Sequence, residues 1–276
     1  MGSTETPTFA PVRACIFDMD GLLINTEDIY LACANELLAR YGRPNLPWSV
    51  KAQFMGVPGS STGEPFFKWA QLPISREQFT AEQKEIQRTR FPQCKPLPGV
   101  KDLLSHLEKA YNTNGEKVHF AMASSTTKEN FDLKARSNET SEIYRLFPDN
   151  RRVLAGDPRV KEGRGKPAPD IFLMALQTIN ESLRGGEKPI TPAECLVFED
   201  AVPGVEAGRR AKMRVVWVPH LEIASEFKGR EDQVLAGRIG LVPIGDEWQL
   251  GQTGDGWGMR LASLENFPYE NYGIRV

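Results

Sequence analysis

ACIFDMDGLLINTE, residues 14–27, ends an apolar run at Ile16 and Phe17 and then sets two aspartates one residue apart, followed by a glycine. Carboxylates that close repel each other, so something must offset the repulsion. In an extended chain, residues two apart point to the same side. Asp18 and Asp20 can therefore face one point just past the end of a strand while Met19 points away. Ligands of open α/β sheets bind in that crevice. Gly21 lets the chain turn sharply there. Taken alone, Asp-x-Asp-Gly is as much a turn signal as a site, and the stretches that decide between the two lie further along the chain.

Four short apolar runs are spaced among helical patterns: VRACIF (12–17), VHFAMA (118–123), CLVF (195–198) and RVVWV (214–218), with RRVLA (151–155) a candidate fifth. Each is too short for a helix and apolar at nearly every position, as strands covered on both faces are. The intervening VKDLLSHLEKAY, APDIFLMALQTI and PGVEAGRRAK carry helical periodicity. Strands alternating with helices imply a doubly wound α/β fold, a Rossmann-like parallel sheet with helices on both sides.

The interval after the first strand differs. EDIYLACANELLARYG, GEPFFKWAQL and SREQFTAEQKEIQRTRF are amphipathic helical segments with no convincing strand among them, and PQCKPLPG (92–99) closes the interval as a linker. The expected organisation is a core of residues 1–24 and 98–276 with a small all-helical cap domain, residues 25–97, inserted after the first strand. Residues 230–258 are glycine-rich and read as loop or a small β excursion without an assigned role.

Three further stretches bear on the paired aspartates. FAMASSTT ends a strand in hydroxyls at Ser124, Ser125 and Thr126, and a hydroxyl with free backbone N–H groups suits phosphate oxygens, although a helix N-cap uses the same residues. GRGKPAPDIF places Lys166, a compact charge, in a rigid loop before a helix. LVFEDAVPGVEAG puts Glu199 and Asp200 after a strand. Each is weak singly. Together they bring four acids, a lysine and a hydroxyl to strand ends, an arrangement strongly self-repulsive without a cation. Oxygen donors from carboxylates, a carbonyl and water describe a Mg²⁺ site.

Composition excludes other classes. Lys plus Arg number 34 against 36 Asp plus Glu, a net charge of -2, and such a balance offers no basic face to nucleic acid or an anionic membrane. No apolar run approaches the roughly 20 residues that span a bilayer. MGSTETPTFA lacks a secretory layout, though Gly2 and Thr6 fit a short lipidation pattern without polybasic support. Cys15, Cys33, Cys94 and Cys195 form no CxxC pair and favour a reducing compartment, so the expectation is a cytoplasmic protein. His106, His119 and His220 lack metal-ligand spacing, and Arg209, Arg210 and Lys212 read as solvated surface charges.

DMDGLLINT, SST, GKPAPD and FEDAVPG, in that order, resemble the four motifs of the haloacid dehalogenase-like hydrolase superfamily. Within it, FMG, QLP, LPGV, DPRV and SLENF add a likeness to eukaryotic pseudouridine-5'-phosphatase-like proteins. The resemblance implies a Mg²⁺-dependent phosphatase of small phosphomonoesters. Asp18 would be the nucleophile and Asp20 the general acid and base. Ser124 with the Ser125 N–H would hold the phosphoryl group, Lys166 would offset its charge, and Gly21 would stand with the substrate-binding residues. Asp18, the Asp20 carbonyl and Asp200 would bind Mg²⁺, with Glu199 reaching it directly or through water. Asn25 stands where family members often carry Asp, and Ala201 where serine is frequent. The alternatives are a phosphomutase, which needs a cap cation that Gly59 and Ser60 do not supply, and a non-catalytic binding protein on the same fold. The expected partner is a small phosphomonoester, and a cap that needs room to move points to a monomer.

Overall fold

The computed structural model of the chain describes residues 9–57 and 63–276, so Gly2, Thr6, Gly59 and Ser60 lie outside the described residues. Strand β1 (Ala14–Phe17) is buried at every position. Ala14 and Ile16 pack into the apolar layer on one face, and Cys15 and Phe17 into the layer on the other, as the two-residue period of a strand requires. After β2 (Tyr111–Asn112) come β3 (His119–Thr127), β4 (Arg152–Ala155), β5 (Cys195–Glu199), β6 (Arg214–Trp217), β7 (Gly258–Arg260) and β8 (Ile274–Arg275). Six of them form one sheet in the order β4-β3-β1-β5-β6-β7, with every pairing parallel. Strands β2 and β8 form a separate antiparallel pair.

The candidate fifth run is therefore a strand, β4. The glycine-rich segment supplies helix Glu231–Leu235 and the edge strand β7. Crossovers first run one way, from β1 to β3 and β4, and later the other way through β5, β6 and β7. The switch point thus falls beside β1, where such sheets hold ligands. Phe17 stacks on Phe198 of the neighbouring strand at 4.4 Å and 12° between planes, holding the ends of β1 and β5 together.

Helices Thr26–Arg40, Trp48–Lys51, Gly63–Ala70 and Arg76–Arg90 follow β1 and share an apolar core of their own, including Cys33, Leu37, Leu38, Phe66, Phe79 and Ile86. The two linkers that carry this helical insertion run side by side. Asn25 N–H donates to the Lys95 carbonyl at 3.0 Å, and the Asn25 Oδ1 accepts from Lys95 N–H at 2.7 Å. A side-chain amide suits that double exchange.

Arg209 and Arg210 are buried, contrary to their reading as surface charges. Arg210 pairs with Glu206 one turn earlier at 2.8 Å and donates to the Gly245 carbonyl at 2.9 Å. Arg209 bonds Asp255 at 3.1 Å and the Leu235 carbonyl at 2.8 Å. The glycine-rich segment wraps over helix Val202–Arg210 and supplies these acceptors, which sequence periodicity does not register. Lys212 is exposed, as expected. All four cysteines are free and buried. Among the described residues, no helix is long and apolar enough to cross a membrane.

Candidate active site

A cavity of about 590 Å³ separates the C-terminal ends of the strands from the helical insertion, and Asp18, Asp20, Ser124, Ser125, Lys166, Glu199 and Asp200 all line it. Asp18 follows β1 directly, its N–H donating to the Phe198 carbonyl at 3.0 Å. Lys166 is only 2% exposed. Its ammonium bonds the Asp18 carboxylate, the Ala123 carbonyl at 3.1 Å and Glu199 Oε1 at 2.6 Å. Three N–H donors are thereby used on three elements.

Glu199 folds back on its own turn, with Oε2 accepting from the N–H groups of Asp200 and Ala201, each at 3.0 Å. Gly204 makes room for it, since a Cβ there would overlap the Glu199 carboxylate. Both Glu199 oxygens are thus committed to Lys166 and the backbone. Asp200 is different. It is 2% exposed, and its Oδ2 has no hydrogen-bond partner. Gly21, in a left-handed conformation, passes so close that a Cβ would overlap that same oxygen. The Gly21 N–H donates to Thr26 Oγ1 at 2.9 Å.

Burial and mutual repulsion dominate the electrostatics of these acids. Burial pushes the Asp18 carboxyl up to about 8 against the downward pull of Lys166, with Glu199 and Asp20 adding to the rise. Burial also drives Asp200 well above the usual carboxylate range, with Glu199, Glu27 and Asp18 reinforcing it. For Lys166, burial works against the charge, but Asp18 and Glu199 outweigh it and its pKa is raised. A divalent cation fits this donor set, one orphaned buried carboxylate oxygen on Asp200 with the Asp18 carboxylate nearby. Among the described residues, no three or more His, Cys, Asp or Glu side chains are grouped so as to hold a metal ion by themselves.

Ser124 and Ser125 both line the cavity. Strand β3 continues through Thr127, with a register irregularity between Ala123 and Thr127 that turns Ser124 inward. Ser124 is buried, its Oγ accepting from Thr126 N–H at 3.2 Å, while Ser125 is exposed to the cavity. The N-cap of the following helix is Thr127, whose side chain accepts from Asn130 N–H, so the capping role falls outside Ser124 to Thr126. Ala201 meets the insertion, where a Cβ on Gly56 would come within 2.6 Å of the Ala201 Cβ, so a larger residue at 201 would press on that contact.

Several groups at the site escaped the sequence reading. Lys134, fully buried at the end of helix Lys128–Lys134, holds both oxygens of Asp20 at 2.7 Å. Glu27, at the start of helix Thr26–Arg40, lines the cavity and pairs with Lys51 at 2.7 Å. Within the insertion, Lys51 and Met55 line the cavity, whereas Gln53 bonds the Ser49 carbonyl of its own turn and Trp69 packs into the insertion's core. Phe54, Phe66, Phe67 and Phe79 form the far wall. The one legible hint for Lys134 is its place three residues after the buried Phe131, on the inward stripe of its helix. The histidines are structural: His106 meets Tyr269, His119 meets Glu187, and His220 stacks on Trp48.

A family model described as haloacid dehalogenase-like hydrolase matches residues 15–218. The chain is 35% identical over 263 residues to the probable pseudouridine-5'-phosphatase of Saccharomyces cerevisiae, covering 95% of this chain and 98% of that one. To (DL)-glycerol-3-phosphatase 1, mitochondrial, of Arabidopsis thaliana it is 36% identical over 237 residues, 85% of this chain and 72% of the other. Among solved structures it matches the putative beta-phosphoglucomutase from Thermotoga maritima with a TM-score of 0.55 and 25% identity, over 78% of this chain and 91% of that one. The matched span runs from β1 to the end of β6 and takes in every strand end that lines the cavity, and the chain belongs to the haloacid dehalogenase-like hydrolase family.

Proposed function

We propose that this hydrolase is a Mg²⁺-dependent phosphatase of small phosphomonoesters, working through an aspartyl-phosphate on Asp18. The observation that carries the reading is the convergence of Asp18, Lys166 and the orphaned Asp200 oxygen on one buried cavity. An Asp18 carboxylate oxygen attacks phosphorus as the ester P–O bond breaks, and the departing alkoxide takes a proton from Asp20. Water then attacks the phosphorus of the aspartyl-phosphate and gives a proton to Asp20. The P–O bond to Asp18 breaks, and inorganic phosphate leaves. Ser124 and the Ser125 N–H bind the phosphoryl oxygens, and Lys166 balances their charge. Asp18, the Asp20 carbonyl and Asp200 would hold Mg²⁺, and Glu199, already engaged, would meet it through water. The cation supplies charge neutralisation between an anionic nucleophile and an anionic ester.

In this reading residues 25–97 act as a cap that admits substrate and excludes water. A phosphomutase needs a free cap cation for a second phosphate. Lys51 and Arg76 both line the cavity, but Glu27 and Glu64 already neutralise them. That favours hydrolysis. The half-buried Phe54 lines the cavity with an aromatic ring, and stacking a base on such a ring is worth about 1–3 kcal/mol. A polyol would set its hydroxyls against that ring without partners. A nucleoside monophosphate such as pseudouridine 5'-phosphate therefore suits the cavity better than glycerol phosphate.

Phosphate release with Mg²⁺ across nucleoside, sugar and polyol monophosphates tests the reading. The expected result is a kcat/KM for nucleoside monophosphates about fivefold or more above that for glycerol 3-phosphate, as stacking of that size implies, and abolition by Asp18→Asn. Equal turnover by wild type and Asp18→Asn would overturn it.

A further inference from the structure

We propose that Lys134 is a positioning residue for Asp20, setting where the general acid stands relative to the leaving oxygen, and that Tyr30 ties this setting to the helical insertion. The inference rests on the phosphatase reading. The Lys134 ammonium is fully buried and has three N–H donors. They are shared among the two Asp20 oxygens, each at 2.7 Å, the Tyr30 hydroxyl at 2.9 Å and Thr126 Oγ1 at 3.1 Å. The faces of Tyr30 and Phe91 enclose the same head group, their centroids 4.9 and 4.7 Å away.

Four segments therefore meet at one nitrogen. Asp20 comes from the loop after β1, Tyr30 from helix Thr26–Arg40 of the insertion, Thr126 from the end of β3, and Phe91 from the segment where the insertion returns. Asp20 has no competing hydrogen-bond partner for its carboxylate oxygens among the described residues, so Lys134 alone fixes its orientation. A general acid acts only within hydrogen-bond reach of the atom it protonates, and displacement of about 1 Å costs as much as 10²-fold. Because Tyr30 belongs to the insertion, movement of that layer alters the tethering of Lys134 and hence of the acid.

A merely structural lysine would affect every ester alike, whereas a lysine that places the acid would affect only esters whose alcohol needs a proton to leave. The comparison uses kcat/KM, which covers the steps through alcohol release, for p-nitrophenyl phosphate and for uridine 5'-monophosphate or glycerol 3-phosphate, whichever the wild type turns over faster. Lys134→Met should lower the alkyl ester by about 30-fold or more, within the range of general acid catalysis, and leave the nitrophenyl ester within about threefold. Asp20→Asn should show the same selectivity, and the double variant should fall no more than about threefold below Asp20→Asn.

Equal losses on both esters for Lys134→Met alone, or a further tenfold fall in the double variant, would overturn the positioning role. Equal losses for Asp20→Asn itself would instead overturn the acid assignment, and the proposal with it. Should Lys134→Met not fold, Tyr30→Phe and Thr126→Val each remove one tether and keep the lysine. Both must then show the same selectivity at smaller size, and its absence in both would refute the proposal.

Discussion

Replacing Lys166 with methionine keeps most of the side-chain volume and removes the one ammonium that touches both Asp18 and Glu199. Both carboxylates are nearly inaccessible, so each loses its cation without gaining water. Breaking a buried pair by removing one partner costs about 3–5 kcal/mol. Asp18 already sits at about 8 with the lysine present, so below that pH proton uptake offsets part of the loss. The lower half of the range therefore applies at pH 6 and the upper half at pH 9. For a chain of this size each kcal/mol moves the melting temperature by about 2–4 °C, which gives a fall of about 6–20 °C in metal-free buffer. Catalysis should suffer separately, by about 10²–10³ in kcat/KM, because a buried positive charge beside the nucleophile is lost. Scanning fluorimetry in EDTA and initial rates in Mg²⁺ read the two effects. An unchanged melting temperature, or a rate within fivefold of wild type, would refute the electrostatic role assigned to Lys166.

Mg²⁺ should stabilise the protein, by about 1.4 kcal/mol at ten times its dissociation constant, and Asp200→Asn should remove most of that shift in a thermal melt. The sign with pH follows from the raised carboxyls. A proton held by the folded state above the unfolded pKa makes metal-free stability fall as pH climbs through the window up to about 8 for Asp18. Since the cation must displace those protons, the Mg²⁺ shift should grow from pH 6 to pH 8, and a shift that shrinks over that range would contradict the assignment. Arg210→Met strands the buried Glu206 and should cost about 3–5 kcal/mol in urea unfolding, whereas Lys212→Ala should stay within about 0.5 kcal/mol. Gly204→Ala drives a methyl into Glu199 and should disturb Lys166 behind it, lowering kcat/KM at least about tenfold, as a small displacement of charged groups does.

What sequence made legible followed the periodicities. The strands on either side of β1 are buried on both faces, so unbroken apolar runs announced them, and each strand end carried a polar residue that the parallel topology gathered into one cavity. The hydrogen bonds that engage Glu199 and the Gly21 N–H are visible only in the folded turn, because their partners Lys166, Ala201 and Thr26 are not signalled by the local pattern. Arg209 and Arg210 were misjudged because their acceptors come from Leu235, Gly245 and Asp255, in a segment whose own sequence reads as loop. Lys134 went unseen for a related reason. A lysine at the end of a short helix looks solvated until Asp20, Tyr30 and Thr126 arrive from elsewhere in the chain.

The nucleophile itself can be located directly. Wild-type protein mixed with a ³²P-labelled substrate and Mg²⁺, quenched in acid within one turnover and digested, should yield one labelled peptide containing Asp18, with the label released by hydroxylamine as acyl phosphates require and absent from Asp18→Asn. Label on a serine or histidine peptide, or rapid turnover with no labelled protein at any quench time, would contradict the account.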